Sequence, residues 1–367
     1  MSLELQKEDK LKMEKVGIST DTENPRGGSF ILVEDEVVES NVNIEGVEMY
    51  PINKALEKYD WLQQYFWKLV DPNKDEFTKV TYEQKIPQGY FIRVGKGIKA
   101  KLPLQSCFYI KGIRDEQIVH NIIIAEEDSE LHILNGCAAA NYSNKGKHIG
   151  ITEIFVKKNA FLSYTMVHDW APTVDVRPRS AISVEEGGKF ISNYITMNEV
   201  HSLHTAPTVF LNGKNSNAKL SSIIFAPEKS NLFVGGKIVL NAPGAQGHII
   251  SRVVTNGGQV TAPAELQAES DGVSGFMECS GIILKDNGRI YSQPSLNSSK
   301  NDVELSHEAS IGKIGQEEIS YLMSRGISED DARSLIVHGF LDIKIKGLPK
   351  FLQEAIDLVI EQSLKGM

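Results

Sequence analysis

A thiol, an imidazole and a carboxylate stand near one another in the last third of this 367-residue chain. Cys279 lies in the segment Met277-Glu278-Cys279-Ser280-Gly281, and the adjacent pair His307 and Glu308 follows further along the chain. All three side-chain types are ligands that iron accepts in proteins. Taken singly, each also has a simpler interpretation, because a lone cysteine is usually core and an adjacent His-Glu pair is usually surface.

Composition narrows the function classes that these residues could serve. The chain has 39 Lys and Arg against 48 Asp and Glu, a net charge of −9, which disfavours nucleic-acid binding. Its three cysteines, Cys107, Cys137 and Cys279, are too few and too scattered for a disulfide framework. The absence of a CxxC pair excludes a zinc finger and a self-contained ferredoxin site. A bound cluster would therefore need distant residues or a second chain.

The chain shows no apolar run long enough to cross a bilayer, and its charged N-terminus lacks a signal-peptide pattern. We therefore expect a cytoplasmic protein without a membrane partner.

Hydrophobic patterning divides the chain into three zones, at 1–85, 86–306 and 307–367. In the first zone, the spacing of Leu62, Tyr65, Phe66 and Leu69 predicts one helix over 55–70, which Asp71-Pro72 ends. We expect this zone to be an N-terminal helical region.

The middle zone consists of short apolar or alternating runs that are separated by Gly, Asn, Asp and Pro. They predict strands at 90–94, 121–125, 151–156, 161–168, 237–240, 248–254, 259–261 and 281–284. The pattern alone leaves a sandwich, a barrel, a propeller and a β-helix open, because no clean repeat period is evident.

The last zone is predicted to be helical. Ile319, Leu322 and Met323 share one helix face, Gly326 suits the position after a helix end, and Ser328 begins a second helix. A third helix is expected after Pro349, with its apolar stripe at Leu352, Ile356, Val359 and Ile360.

This helical tail, the His-Glu pair and the spacing back to Cys279 resemble the C-terminal part of the SufB/SufD family. Members of that family are scaffold proteins of an iron–sulfur cluster assembly machine. The resemblance implies a right-handed parallel β-helix core, flanked by N-terminal and C-terminal helical regions. It also implies a separate ABC-type ATPase partner, SufC, that docks on the tail through apolar residues, for which the candidates are Ile319, Leu322, Ile327, Leu335, Ile336 and Phe340.

Glu308 decides which branch of the family the chain resembles. The SufD branch has glycine after the histidine, whereas the SufB branch has a cysteine at the present spacing before a His-Glu pair. The resemblance to SufB implies that Cys279 binds sulfur and iron at a subunit interface, with His307 and Glu308 as iron ligands or as bases that keep the thiol ionised. The partner subunit would be a second copy or a SufB/SufD paralogue, and for a short, single-type member a homodimer is the economical arrangement.

Two further tracts carry the resemblance into the β zone. Cys137 lies in a tract similar to the family's Gly-Cys-x-Ala-Pro, and 164–170 resembles Tyr-Ser-Thr-Val-Gln-Asn-Trp, with His168 in place of glutamine and Trp170 retained. The resemblance implies a sulfur-transfer path through Cys137, His168 and Trp170. Tyr109 and Lys111 stand where SufB has Arg and Asn, which puts this inner path in doubt. Cys107 has no family role, and a small residue in a tight corner is the simpler interpretation of Cys137.

Three functions are weighed. The chain has no Walker A sequence, so we expect an assembly scaffold that is not itself an enzyme and that passes a transient cluster to recipient apo-proteins. The second function is a SufD-like structural partner without cluster ligation, which would fit Tyr109, Lys111 and His168. The third is a β-helix carbohydrate-binding protein or enzyme, although no clear carboxylate cluster or aromatic groove supports it. Whether a flavin takes part is open at this point.

Overall fold

The fold is a parallel β-solenoid, seen in a computed structural model that describes residues 5–20, 26–112, 116–140, 143 and 146–341. Two sheets face each other across a common interior. The predicted class, mainly β with a parallel β-helix core and helices towards the ends, is confirmed.

Among the described residues, the first sheet has ten strands. In spatial order they are β2 (Glu36–Val42), β1 (Gly28–Val33), β5 (Leu104–Ile110), β7 (Glu130–Ala139), β9 (Phe161–Asp169), β12 (Lys189–Thr196), β15 (Asn217–Pro227), β18 (Gln246–Asn256), β20 (Val273–Ile283) and β22 (Val303–Gly312).

The second sheet includes shorter strands, because the chain bends once more in some coils. In chain order its strands are β3 (Val47–Pro51), β4 (Tyr90–Val94), β6 (Glu116–Ala125), β8 (Gly146–Val156), β10 (Val174–Val176), β11 (Arg179–Val184), β13 (Ser202–Thr205), β14 (Thr208–Leu211), β16 (Asn231–Val234), β17 (Gly236–Leu240), β19 (Gln259–Ala268) and β21 (Arg289–Ser298).

One corner of the solenoid repeats through seven successive coils of the described chain. At each corner a residue with left-handed backbone, which favours Gly, Asn and Asp, donates its N–H to a carbonyl of the next coil. The corners recur at a nearly constant interval, one per coil, and so keep the strands of neighbouring coils in register. The corner residues are Gly97, Asp128, Asn159, Gly187, Asn215, Gly244 and Gly272.

The two ends of the solenoid differ. At the closed end, the order begins with antiparallel pairs, β1 with β2 and β3 with β4. At the open end, the parallel strands β21 and β22 are the last members of their sheets. We use these two terms below.

Helices cover parts of both outer faces. On the first sheet, α1 (Lys7–Lys15) and α5 (Glu329–Leu341) bury apolar side chains such as Met13 and Val337. On the second sheet, α2 (Ile52–Lys58) and the 3-10 helix Asp60–Gln64 cover another apolar cluster. The remaining described helices are α3 (Glu76–Tyr82) and α4 (Gln316–Ser324).

The prediction of one helix over 55–70 is wrong. The segment breaks into α2, the 3-10 helix and a turn in which Trp67 has a φ of +57°. The buried Glu153 carboxylate accepts hydrogen bonds from the backbone N–H groups of Trp67, Leu69 and Val70, at 2.7, 2.5 and 3.1 Å. A carboxylate that collects three N–H groups stabilises this turn over another helical turn.

The zone boundaries also differ from the pattern. The segment 1–85 contains strands β1 to β3 as well as helices, and β22 runs on to Gly312. His307 and Glu308 therefore lie within the β-core and not at the start of the helical tail. The expected helix after Pro349 lies outside the described residues.

The predicted ends of the two tail helices are confirmed. Gly326 has a φ of +86°, and the Ser328 hydroxyl accepts a hydrogen bond from the Asp331 N–H at 3.2 Å.

Candidate functional site

The open end places part of the solenoid interior beside solvent. Tyr291, Leu296 and Ile311 on its two edge strands are 54%, 41% and 39% exposed. Ile290 and Leu305 contact the interior core but are only partly buried. The end therefore combines unpaired strand edges with an incompletely covered apolar face, which is the pattern of an association surface.

Cys279 lies at this end, on the inner face of β20. Its side chain is 3% exposed and belongs to the interior core. Burial raises the pKa of the Cys279 thiol, the nearby Ser292 hydroxyl lowers it, and the Glu278 carboxylate raises it again. In the structure as it stands, the thiol is therefore held in its neutral form.

His307 shares the inner face with Cys279. It lies on β22 in register with Met277, two residues before Cys279, so the two candidate residues are diagonal neighbours. With the strand spacing and rise of a sheet, their Cα atoms are about 8 Å apart. The His307 Nε2 atom is buried and has no hydrogen-bond partner among the described residues. A buried imidazole nitrogen without a partner is costly unless a ligand completes it.

Glu308 points the other way, because successive side chains of a strand alternate between faces. It lies on the outer face, in register with Glu278, and is exposed. The structure thus brings Cys279 and His307 together and separates Glu308 from them. Over the described ranges, no group of three or more His, Cys, Asp and Glu side chains is arranged to hold a metal ion within one chain.

Cys137 lies in the interior, five coils nearer the closed end than Cys279. It is buried, and the Asn135 amide donates to its Sγ at 3.3 Å. Burial raises the pKa of the Cys137 thiol to about 12. The expectation of a tight corner is wrong, because Cys137 lies inside strand β7, but a small, buried and hydrogen-bonded thiol suits a packing role as well as a functional one.

His168 lies beside Cys137 on the neighbouring strand β9, and Trp170 follows directly after the end of that strand. His168 is in register with Cys137, and its Nδ1 is 2.8 Å from the Tyr194 hydroxyl. The Trp170 ring lies between two histidine rings, at 5.4 Å from His168 and 4.9 Å from His148. All of these ring systems face the interior, so the structure brings the three residues of the expected sulfur path together.

A row of side chains leads from this group to Cys279. Asn135, Met166, Tyr194, Ser222, Ser251 and Cys279 are successive register partners across six strands. The Ser222 and Ser251 hydroxyls are 2.8 Å apart. Five strand spacings separate Asn135 from Cys279, which is about 24 Å.

Adjoining cavities follow the same row. One of about 10 Å³ is lined by Cys137, His148 and His168. The next, about 30 Å³, shares Tyr164 and Met166 with it, and a third, about 40 Å³, shares Tyr194 with the second and reaches Ser251. Small voids thus interrupt the packing between the two cysteines.

Cys107, Tyr109 and Lys111 lie on the opposite side of the first sheet. Cys107 and Tyr109 belong to the outer apolar cluster under α1, and the Lys111 ammonium is 3.1 Å from the Asp9 carboxylate of that helix. None of the three lines the interior cavities. Their departure from the SufB pattern therefore does not concern the residues around these interior cavities.

Comparison with known proteins decides the family. A model described as "SUF system FeS cluster assembly, SufBD core domain" matches residues 108–340. An iron–sulfur cluster assembly SufBD family protein of Archaeoglobus fulgidus is 45% identical over 98% of this chain and 96% of its own. One from Methanothermobacter thermautotrophicus is 39% identical, over 99% and 90%. The chain belongs to the SufBD family. The iron–sulfur cluster assembly protein SufB of Bacillus subtilis is 27% identical to it over 99% of this chain and 79% of the relative.

The tail helices of this SufBD chain present only part of the expected docking face. Ile319 is buried, and Leu322, Ile327, Ile336 and Phe340 are partly buried. Leu335 is 53% exposed, as are Tyr321 and Met323 to similar degrees. The apolar surface that α4 and α5 offer to solvent therefore centres on these last three residues. Along the described helices, none combines the length and apolar character needed to cross a membrane.

Sequence reasoning missed the interior residues that a SufBD solenoid places between its cysteines. His148, Tyr194, Ser222 and Ser251 carry no local motif. The signal that could have found them is the regular interval between the left-handed corners. Stepping back from Cys279 by one such interval at a time predicts the register row.

Proposed function

We propose that this SufBD-family chain is the scaffold of a SUF-type machine that builds a labile iron–sulfur cluster and passes it to apo-proteins. The cluster is cargo, assembled on the inner face of the open end. The observation that carries the proposal is the diagonal placement of Cys279 and His307 there, with the His307 Nε2 buried and unpartnered among the described residues. A thiolate and an imidazole bind iron less tightly than four thiolates, which suits a cluster that must leave.

A second copy of the chain completes the proposed site. Two ligands are too few for a cluster, and among the described strands none pairs with the outer edge of β22, which leaves that edge for another chain. A two-fold axis at this edge would bring a second Cys279 and His307 to the same interior. The exposed Ile311 and Tyr291 would become buried in such a contact.

Glu308 takes a separate role in this proposal. On the outer face of the edge strand, its exposed carboxylate would receive iron before the inner ligands do, unless β22 turns over when the cluster forms. A hard oxygen ligand is suited to such weak, exchangeable binding of Fe²⁺.

We propose that sulfur reaches Cys279 from Cys137 through the interior. The register row and the adjoining cavities support a passage for a small sulfur species past His168, Trp170 and Tyr194. The partner for energy input is a SufC-like ABC ATPase, which would dock on Tyr321, Met323 and Leu335 of α4 and α5. We place the machine in the cytoplasm.

The SufD-like structural role is the second candidate. Its support from Tyr109 and Lys111 weakens, because both side chains lie outside the interior. Only His168, in place of glutamine, still departs from the SufB pattern within the path.

Anaerobic reconstitution with iron and sulfide tests the scaffold role, with the ATPase partner present. The wild type is expected to develop a sulfide-to-iron absorption band that Cys279→Ala loses. Cys107→Ala is the matched control, since that thiol is equally buried but lies under α1, and its band should equal the wild type's. Equal bands in wild type and Cys279→Ala would move the ligands elsewhere, with Cys137 next. No band in any variant would favour the SufD-like role.

The same assay separates the two members of the His-Glu pair. His307→Ala is expected to lose the band, whereas Glu308→Gln should slow its appearance at low iron and reach the wild-type intensity at high iron. Equal loss in both variants would place Glu308 among the direct ligands.

A thiol-reactivity measurement tests the passage. A small reagent, methyl methanethiosulfonate, should modify Cys279 first and Cys137 more slowly, read by mass spectrometry of the cysteine peptides. Tyr194→Trp should slow only Cys137, because Tyr194 lines both of the cavities between it and the open end. The rate of Cys107 modification measures global opening of the fold. An unchanged rate of Cys137 modification in Tyr194→Trp would refute the passage.

A further inference from the structure

Arg252 joins the tail to the strands of the open end. It lies on the outer face of β18, where its guanidinium carbon is 5.4 Å from the centre of the Phe340 ring of α5. On its other side, its Nη2 is 2.5 Å from the Glu278 Oε1 of β20. One side chain thus contacts both a tail helix and the strand that carries Cys279.

A cation beside Glu278 stabilises this part of the sheet. It stands directly opposite Glu308 in the parallel register of β20 and β22, and like charges in that position destabilise strand pairing. Among the described residues, the ion pair of Glu278 is with Arg252, and Glu308 has none. The Ser280 hydroxyl adds one hydrogen bond to Glu278 at 3.3 Å.

The position of Arg252 depends on its two contacts together. Its Nε is buried and has no hydrogen-bond partner within the described chain. The guanidinium is therefore held by the ring on one side and the carboxylate on the other. Removing Phe340 would leave the charge free to turn towards solvent, and Glu278 would lose its partner.

The edge strand is sensitive to that loss. Among the described strands β22 has one neighbour in its sheet, β20, so its stability depends on a single ladder of hydrogen bonds and on the side-chain pairs along it. A repulsive pair at Glu278 and Glu308 acts on the same ladder that positions His307.

We propose that Arg252 is a positioning residue that couples the docked position of α5 to the stability of β22. Displacing α5 withdraws the guanidinium, and the uncompensated carboxylate pair loosens the edge strand. The consequence for cluster assembly rests on the proposed function, since α5 belongs to the proposed ATPase-docking region and β22 carries the proposed iron ligands. The coupling itself is a property of the metal-free protein.

Amide hydrogen exchange of the metal-free full chain tests the coupling, with all variants compared at one protein concentration. Arg252→Met removes the charge but keeps an apolar stem against Phe340. It is expected to speed exchange of the β22 amides by about two- to fivefold, the range that a repulsive cross-strand pair produces. Arg252→Lys, which retains the charge, should give a smaller change.

Two further variants separate charge from simple contact. Arg252→Met combined with Glu308→Gln should return β22 to the wild-type rate, because the repulsion no longer exists. Phe340→Leu keeps an apolar contact but removes the ring face, and it should speed exchange in both α5 and β22. The matched control is Lys313→Met, which removes a cation paired with Asp286 just beyond β22 and should leave the amides of 303–308 unchanged.

Three outcomes would overturn the inference. They are unchanged β22 exchange in Arg252→Met, absence of rescue by Glu308→Gln, and an effect of Phe340→Leu that stays within α5. Failure of cluster reconstitution would refute the proposed function and leave these exchange rates, and the coupling, untouched.

Discussion

The closed and open ends of the solenoid differ in how their edge strands are covered. A stack of parallel coils leaves an unpaired strand at each end of each sheet. At the closed end the chain folds back, so that antiparallel strands cover the first coil, and the outermost strand carries Glu36 and Glu39. At the open end β21 and β22 stay parallel and uncovered by another strand within the described chain, with apolar side chains exposed.

This difference indicates that the two ends have different roles in association. Charged residues on an edge strand discourage association with other chains, whereas an edge with exposed apolar neighbours invites it. The candidate ligands Cys279 and His307 lie at the open end. The closed end, with its buried ion pair between Asp9 and Lys111, serves stability.

Breaking that buried ion pair is expected to have the largest effect on folding. Asp9→Asn removes one partner of a fully buried pair and should lower the free energy of unfolding by about 3–5 kcal/mol at pH 7. Urea denaturation followed by circular dichroism measures it. A loss below about 1 kcal/mol would show that the closed end does not depend on this pair.

The same variant has an expected pH dependence. Burial alone would raise the pKa of Asp9, but the Gln6 N–H, the Tyr109 hydroxyl and the Lys111 ammonium together lower it. A lowered pKa contributes stability above the unfolded value, about 4, and that stability disappears as the pH falls through the folded value. The difference between wild type and Asp9→Asn should therefore shrink below about pH 4. A constant difference would contradict the lowered pKa.

A core truncation at each end sharpens the comparison. Ile133→Ala empties a fully buried position near the closed end and should cost about 3 kcal/mol of unfolding free energy. Leu305→Ala, on the half-covered inner face of the open end, should cost about 1 kcal/mol, since its side chain already contacts solvent. Equal losses would mean that the open end is covered in solution.

Association should respond only at the open end, without a change in the stability of the single chain. Ile311→Lys is expected to weaken self-association at least tenfold, which is about 1.4 kcal/mol, while leaving unfolding of the single chain unchanged. Val38→Lys, at a similarly exposed position on β2, is the matched control and should not change it. Sedimentation velocity over a range of concentrations measures both. Equal weakening by both variants would remove the distinction between the ends.

Much of the β-core could be predicted from sequence, because short apolar runs between Gly, Asn and Asp mark strands without help from distant contacts. The region 55–70 could not. Its apolar spacing is helical, yet the carboxylate of Glu153, far away in sequence from Leu69, captures its backbone N–H groups. Local periodicity carries no information about a contact between residues so far apart in sequence.

The candidate site was predictable only in part. The spacing between Cys279 and His307 matches one coil, so their approach follows from it. The separation of Glu308 from both follows from strand alternation, which becomes evident once His307 is known to lie inside a strand and not at a helix start. Tyr194, Ser222 and Ser251 needed the register, which the corners reveal and which no single motif carries.

The seven left-handed corners also set distances along the molecule. Each coil adds about 4.8 Å along the solenoid axis and makes its contacts mainly with the coils on either side. Inserting or deleting one whole coil between Cys137 and Cys279 would change the separation of the two thiols by that amount, with both sheets still in register. The number of coils therefore sets the distance between the two thiols, and that distance can change in whole steps without a change at either end of the solenoid.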